Sequence, residues 1–277
     1  MIIILQLYLM EIDKGYVNIA ILFLFGLFLI YKGITSLSSN GKQLEKMLID
    51  KDIYIISNSF CKCKDVKIKW LIYFIFKCDL CRIKRVIDFE EEKDIFYLLE
   101  NIKSPAKFII HTEGGDSELS SFLAYIINQN NIKLETYIPQ YALSAGSFIA
   151  LCSEKLYLNW YSSMSPVDTQ VEYSTNSDDE DESFPAKHIQ EVVHKTNAVT
   201  RLRSMEASSF HKDDIYIINS MFRDKRKRGQ IIKNFLETDR SHAMRYGPKD
   251  LKRFGLNVET EMPEDITNIF NIFRKLK

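Results

Sequence analysis

Two stretches of this 277-residue chain share one local pattern, a strand, then a turn of small residues, then a helix. In FIIHTEGGDSELSSFLAYII (108–127) an apolar run ends at His111-Thr112-Glu113-Gly114-Gly115 and gives way to an amphipathic segment. In LETYIPQYALSAGSFIALCSEKLYLN (134–159) a second strand-like run ends at Ser144-Ala145-Gly146 and an apolar helix follows. The turns lie about thirty residues apart, the length of one βα unit, so parallel strands bring both to the same edge of a sheet. Such turns and helix starts leave backbone N–H groups unpaired. A hydroxyl at one turn and a glycine pair at the other are the parts of a serine hydrolase: a nucleophile, and donors for the charge that develops on the attacked carbonyl oxygen. Either turn alone has an ordinary explanation, Gly114-Gly115 as a loop and Ser144 as a helix cap.

The flanking segments extend the pattern. A strand is expected around Ile53–Ile56, a helix capped by Asp88 with Glu90, Glu91 and Glu92 in its first turn, and a buried strand over 106–111. Asp116 or Ser117 is expected to cap the helix running to Ile127. Strands alternating with helices imply an α/β fold around a parallel sheet. Hydrophobic residues make up 46% of the chain, enough for one sizeable core.

Residues 17–31, VNIAILFLFGLFLIY, are almost uninterruptedly apolar, and Ile34 extends the run. The run is slightly short of the roughly 20 residues that span a bilayer and hydrophobic on every face; it reads as a membrane helix rather than a buried core helix. Lys32, Lys42, Lys46 and Lys51 follow it and Lys14 precedes it, which places the rest of a single-pass protein in the cytoplasm. The expected division is a membrane anchor at 1–35, a linker and lead helix at 36–48, a catalytic domain at 49–260 and an amphipathic tail at 261–277. TSLSSNGKQ (35–43) has linker composition.

Lys+Arg and Asp+Glu are balanced at 37 each, which argues against a nucleic-acid partner. The basic cluster Arg223, Lys225, Arg226, Lys227 and Arg228 would suit anionic lipid or simply a solvated helix end. Five cysteines in a chain of this length do not suggest a disulfide scaffold. Cys61, Cys63, Cys78 and Cys81 form two close pairs, a weak candidate for a zinc cluster, although cysteine also serves as a small core hydrophobe. No cofactor is called for.

The HTEGG turn, followed by YIPQYALSAGSFIALCSEKLYLNWYSSMSPVDTQ, resembles the Clp-protease/crotonase superfamily. It is most similar to the serine dehydrogenase proteinases, relatives of signal peptide peptidase A. Those show a histidine-threonine-proline-glycine-glycine turn, a methionine-serine-glycine-glycine turn at the nucleophile, and a glycine-proline-valine-aspartate-proline-glutamine segment. The resemblance covers about residues 50–260 and implies a Clp/crotonase-like fold of repeated β-β-α units. Carried over by motif, it makes Ser144 the nucleophile, with Gly115 and Ala145 as oxyanion-hole donors and Gly114 shaping the turn. Ser165-Pro166-Val167-Asp168 would wall the site. Glu113, Ala145 and Ser165 depart from the pattern.

The base is less determined. Where the ClpP-like relatives carry a histidine, this chain has Asp168-Thr169-Gln170. Signal-peptide-peptidase-like relatives use a lysine about fifty residues after the serine, and FPAKHIQEVVHKTNAV lies there. Lys195 falls on or near the apolar face set by Ile189, Val192 and Val193, where desolvation would lower its proton affinity. Lys187 and His194 are rivals, and His242 and Asp168 are candidate supports. The resulting expectation is a membrane-anchored serine endopeptidase with a Ser144–Lys195 dyad. It would act on peptides or membrane-associated protein fragments, contact membrane lipid and self-associate. The alternatives are an inactive scaffold of the same fold and an acyl-CoA enzyme of crotonase type.

Overall fold

The computed structural model of the chain describes residues 37–58, 79–167, 170–173, 182–185, 198–222 and 224–277. Of 171–173, 182–185, 198–201, 203–204 and 207 only the backbone is described. A six-stranded sheet runs in the order β10-β6-β4-β3-β1-β2, and every neighbouring pair is parallel. Its strands are β1 (Ile53–Ser57), β2 (Val86–Asp88), β3 (Ala106–Ile110), β4 (Leu134–Ile138), β6 (Lys155–Leu158) and β10 (Val258–Glu259). All five residues of β1 are buried, the pattern of a strand covered on both faces.

Alternation along the strands sorts the core into two layers. Tyr54, Ile56, Phe108 and Ile110 face α2 (Glu92–Asn101), α3 (Ser117–Gln129), α4 (Ala145–Leu151) and the end of α5 (Ala198–Met221). Ile53, Ile55 and Ile109 face α1 (Ser39–Asp50) and α8 (Glu264–Leu276). The C-terminal helix α8 buries Ile266, Ile269, Phe270 and Phe273 on the sheet and so forms part of the second layer. Between α5 and α8 lie α6 (Lys225–Ile231), a π-helical turn (Ile232–Leu236) and α7 (Pro248–Arg253). Two small strand pairs complete the fold, β5 (Tyr141–Ala142) with β7 (Ser163–Met164), and the antiparallel β8 (Gln170–Tyr173) with β9 (Glu182–Pro185).

Local boundaries differ from expectation in two places. Asp88 ends β2 instead of capping a helix; the N-cap of α2 is Glu91, and the Asp88 carboxylate accepts the Glu90 N–H at 3.3 Å. Ser39–Gln43 are helical despite their linker composition. Ser38 caps α1 through its hydroxyl, which accepts the Gly41 N–H at 3.1 Å, and Asp79 in turn accepts from the Ser38 backbone and hydroxyl. Asp116, one of the two expected caps, starts α3 by accepting the Leu119 N–H at 2.9 Å.

The expectation of a transmembrane helix, with the membrane-anchored, single-pass reading built on it, is corrected. Among the described residues no helix is long and apolar enough to cross a membrane. The 24 residues of α5 include Arg201, Arg203, Glu206, Lys212, Asp213 and Asp214, too many charges to desolvate in lipid. Helix α8, at 13 residues, is about 20 Å long, short of the roughly 30 Å hydrocarbon core. The run at 17–34 lies outside the described residues. What the structure supports is an α/β fold of repeated strand–helix units.

Candidate active site

Strands β3 and β4 are parallel neighbours, so the turns after them leave the same edge of the sheet. They are also tied to each other. The Leu143 N–H donates to the Thr112 carbonyl at 3.0 Å, and the Thr112 N–H donates to that of Tyr141 at 3.4 Å. The Thr112 hydroxyl organises the first turn: it accepts the Gly114 N–H at 3.1 Å and lies 2.8 Å from the Gly114 carbonyl and 2.7 Å from Asn58 Oδ1.

Both glycines are required by their surroundings. Gly114 has φ +129° and Gly115 φ +154°, a region side chains rarely adopt. A Cβ at 114 would sit 2.9 Å from the Ser144 Cβ, and one at 115 would sit 3.1 Å from the Phe89 ring. Gly114 therefore lets the two turns close on each other, and Gly115 lets the first turn pack against Phe89.

Ser144 is the N-cap of α4 and holds φ +48°, ψ −120°. A non-glycine residue in this region costs about 1–3 kcal/mol, and such outliers cluster at active sites. A sharp strand-to-helix turn that lifts a serine hydroxyl clear of its neighbours is the geometry of a nucleophile elbow. A chain of hydroxyls holds the turn. The Ser144 N–H donates to Ser165 Oγ at 2.7 Å, the Ser165 N–H donates to Ser147 Oγ at 2.9 Å, and Ser147 Oγ donates to the Ala142 carbonyl at 2.6 Å. Gly146 follows because α4 lies directly on the first turn, and a Cβ there would collide with the Thr112 methyl.

The Ser144 side chain opens into a cleft of about 180 Å³ lined also by Gly115, Ala145, Phe148, Val167, Gln170 and Asp214. Ala145 opens α4, so its N–H has no intrahelical acceptor. The Gly115 N–H makes no hydrogen bond among the described residues. One hydroxyl and two free N–H groups thus border one cavity. Its wall is pinned from the C-terminal half of the chain. The Val167 N–H donates to the Phe235 carbonyl at 2.9 Å, in the π-helical turn, and Met164 pairs with Tyr246 through backbone bonds of 2.7 and 3.1 Å.

Of the remaining candidates, Lys187, His194, Lys195 and Asp168 lie outside the described residues, as do Cys61, Cys63 and Cys78. Cys81 is half-buried and forms no disulfide among the described residues. Among the described residues no group of three metal-ligating side chains converges. His242 is half-buried, and its Nδ1 lies 3.4 Å from Nε2 of Gln170, itself a cleft residue. Glu113, where the related motif has proline, is exposed. Together with burial it raises the Tyr141 phenol, burial being the larger cause, while Arg245 partly opposes the shift. Burial pushes the Cys152 thiol up to about 12, which favours the protonated form at neutral pH.

Residues 80–276 match the model of the ClpP-like SDH-type serine proteinases. The chain belongs to that family. The expectation of a serine peptidase, drawn from Ser144 and its neighbouring turn, agrees with this membership. Two proteins of Methanocaldococcus jannaschii are similar to it: MJ1495 is 24% identical over 176 residues, covering 61% of this chain and 57% of the relative. MJ0137 is 23% identical over 180 residues, covering 62% and 59%. The chain thus spans a little under three fifths of the length of these curated relatives. Among solved structures, ClpP1 from Listeria monocytogenes has a TM-score of 0.43 at 15% identity, covering 79% of this chain and 97% of that one. A variant of the 1510-N membrane-bound stomatin-specific protease has a TM-score of 0.40 at 13% identity, covering 79% and 83%.

Sequence reasoning put Ser165 in the wall of this site without the role of its hydroxyl, and it missed Ser147, Gln170 and Asp214. Ser165 and Ser147 cooperate only once the chain folds back, so no local spacing pairs them. Gln170 becomes relevant through the same long-range packing. Asp214 did carry a signal: it lies four residues after Phe210 and three and four before the buried Ile217 and Ile218, which puts a carboxylate on the core-facing side of α5.

Proposed function

We propose that this proteinase-family chain is a serine endopeptidase in which Ser144 attacks the peptide carbonyl and the N–H groups of Gly115 and Ala145 receive the oxyanion. The observation that carries the reading is the strained Ser144 turn, opening into a cleft bordered by both donors. The Ser144 proton passes to a base, the tetrahedral intermediate collapses as the base protonates the departing amine, and water then releases the acyl group. Lys195 is the base best supported by the resemblance of 184–199 to the lysine-bearing relatives, with Lys187 and His194 beside it. A second reading takes His242 as base or support, because Gln170 links its ring to the cleft.

The substrate is a peptide or an extended protein segment. Self-association belongs to the same reading, supported by the exposed Leu202, Met205 and Tyr216 along α5 and the exposed Phe96–Phe122 pair, whose rings are 5.9 Å apart. Hydrolysis of internally quenched peptides tests the activity: wild type is expected to cleave them and Ser144→Ala to lose activity by at least about a thousandfold. Equal rates in both proteins would remove Ser144 from the mechanism, and no cleavage by either would favour a scaffold. Lys195→Ala and His242→Ala separate the bases. The true base is the one whose loss suppresses turnover at neutral pH and allows partial recovery at higher pH, where more of the serine ionises unaided.

A further inference from the structure

We infer that Thr112 is a positioning residue for the proposed reaction: its hydroxyl holds the Gly114–Gly115 peptide in the orientation that aims the Gly115 N–H at the oxyanion. This rests on the proposed peptidase reading and deepens it. The glycine pair itself creates the need. Turning a peptide unit between its two Cα atoms changes only the ψ of the residue before it and the φ of the residue after it. Here both residues are glycines, with no Cβ to resist the rotation. A half-turn would withdraw the Gly115 N–H and put the Gly114 carbonyl oxygen in its place, a negative dipole facing the charge that the site has to stabilise.

Thr112 supplies the grip. Its Oγ1 lies 2.8 Å from the Gly114 carbonyl oxygen, which has no other hydrogen-bond partner among the described residues. In a trans peptide the C=O and N–H point opposite ways, so a carbonyl held toward Thr112 turns the Gly115 N–H away from it. Gly115 borders the Ser144 cleft, whereas Thr112 does not. The same hydroxyl accepts the Gly114 N–H at 3.1 Å, so both backbone polar groups of Gly114 end on one side-chain atom. Asn58 is its third partner, at 2.7 Å. A hydroxyl carries one proton, and of the two oxygens in reach only the Asn58 amide can present a donor instead, by turning end for end. The proton is then left to the Gly114 carbonyl. Thr112 cannot itself turn: it is buried, and its backbone pairs with the second turn through the Tyr141 carbonyl and the Leu143 N–H. Its methyl lies beneath α4, where a Cβ on Gly146 would meet it. On a β-branched side chain, fixing the methyl fixes the hydroxyl.

The test compares Thr112→Val, which keeps the branch and removes the hydroxyl, with Thr112→Ser, which keeps the hydroxyl. On internally quenched peptides, Thr112→Val is expected to lower kcat about a hundredfold with KM within about twofold and an unchanged shape of the pH profile, the signature of one oxyanion donor lost. Thr112→Ser is expected to restore kcat to within about fivefold of wild type. Fluorophosphonate labelling separates this effect from damage to the fold: Thr112→Val is expected to label slowly but to completion, whereas partial unfolding lowers the fraction labelled. Crystal structures of both variants supply a readout independent of turnover, with the Gly114–Gly115 plane expected to turn in Thr112→Val and to hold in Thr112→Ser. Wild-type kcat in Thr112→Val, a loss explained by a smaller labelled fraction, or an unturned peptide plane overturns the inference. A wild type that neither cleaves nor labels counts against the peptidase reading alone, and the peptide plane in Thr112→Val still decides the role of the hydroxyl.

Discussion

Ser144 concentrates the residue-scale consequences of the site. Its φ of +48° is left-handed, so glycine relieves a strain that alanine keeps. Ser144→Gly is expected to be more stable than Ser144→Ala by about 1 kcal/mol in urea denaturation, although both lack the hydroxyl. Equal stabilities would mean that the turn relaxes when the hydroxyl is removed. Ser165 supports the same turn by accepting the Ser144 N–H at 2.7 Å. Ser165→Ala leaves that donor unsatisfied in a part-buried setting and is expected to cost about 1–3 kcal/mol, with a fall in kcat and little change in KM. The motif signalled that a serine stands where relatives have glycine, but not what its hydroxyl does, because the partner lies 21 positions away in sequence.

At the scale of elements, the approach of α4 to the turn after β3 makes a testable pair. A Cβ on Gly146 collides with the Thr112 methyl, so Gly146→Ala is expected to cost about 1–3 kcal/mol through overpacking. Thr112→Ser removes that methyl and keeps the hydroxyl bonded to the Gly114 N–H. The double variant Thr112→Ser/Gly146→Ala is therefore expected to recover most of the loss, a coupling readable in a double-mutant cycle; simple additivity would contradict the packing. Docking of α8 sets a second, pH-dependent element. His111, at the end of β3, is buried with its ring 4.4 Å from Tyr141 and 5.1 Å from Phe270, and its Nδ1 has no hydrogen-bond partner among the described residues. Burial, then the positive charges of Lys277 and Arg274, lower its pKa from 6.5 to about 4. Because the folded state holds the ring neutral, its stabilising effect is complete above about pH 6.5. It is lost as pH falls toward 4, since the unfolded chain takes up the proton first. Wild type is expected to lose on the order of 3 kcal/mol more than His111→Phe across that window in denaturation titrations. Parallel curves would assign the acid sensitivity elsewhere.

Across the whole molecule, legibility followed the range of the interactions. Strands β1, β3 and β4 were readable because burial on both faces favours apolar runs, and the two turns were readable as a pair because their spacing of one βα unit brings both to one sheet edge. Less was readable where distant segments cooperate: the capping of α1 by Ser38 and Asp79, the π-helical turn that pins Val167, and Asp214 turned into the cleft from α5. The Asp88 expectation failed because a local capping signal lost to strand pairing, with β2 hydrogen-bonded alongside β1 through Asp88 itself. Two of these long-range contacts, the one that pins Val167 and the one that brings in Asp214, converge on the cleft where Ser144 meets the glycine turn. The most direct measurement of that convergence is the position of a fluorophosphonate adduct, determined by peptide mapping of the labelled native protein. The account predicts a single adduct on Ser144, absent after heat denaturation and absent from Ser144→Ala. An adduct on a different serine, or none on the folded wild-type protein, would contradict it.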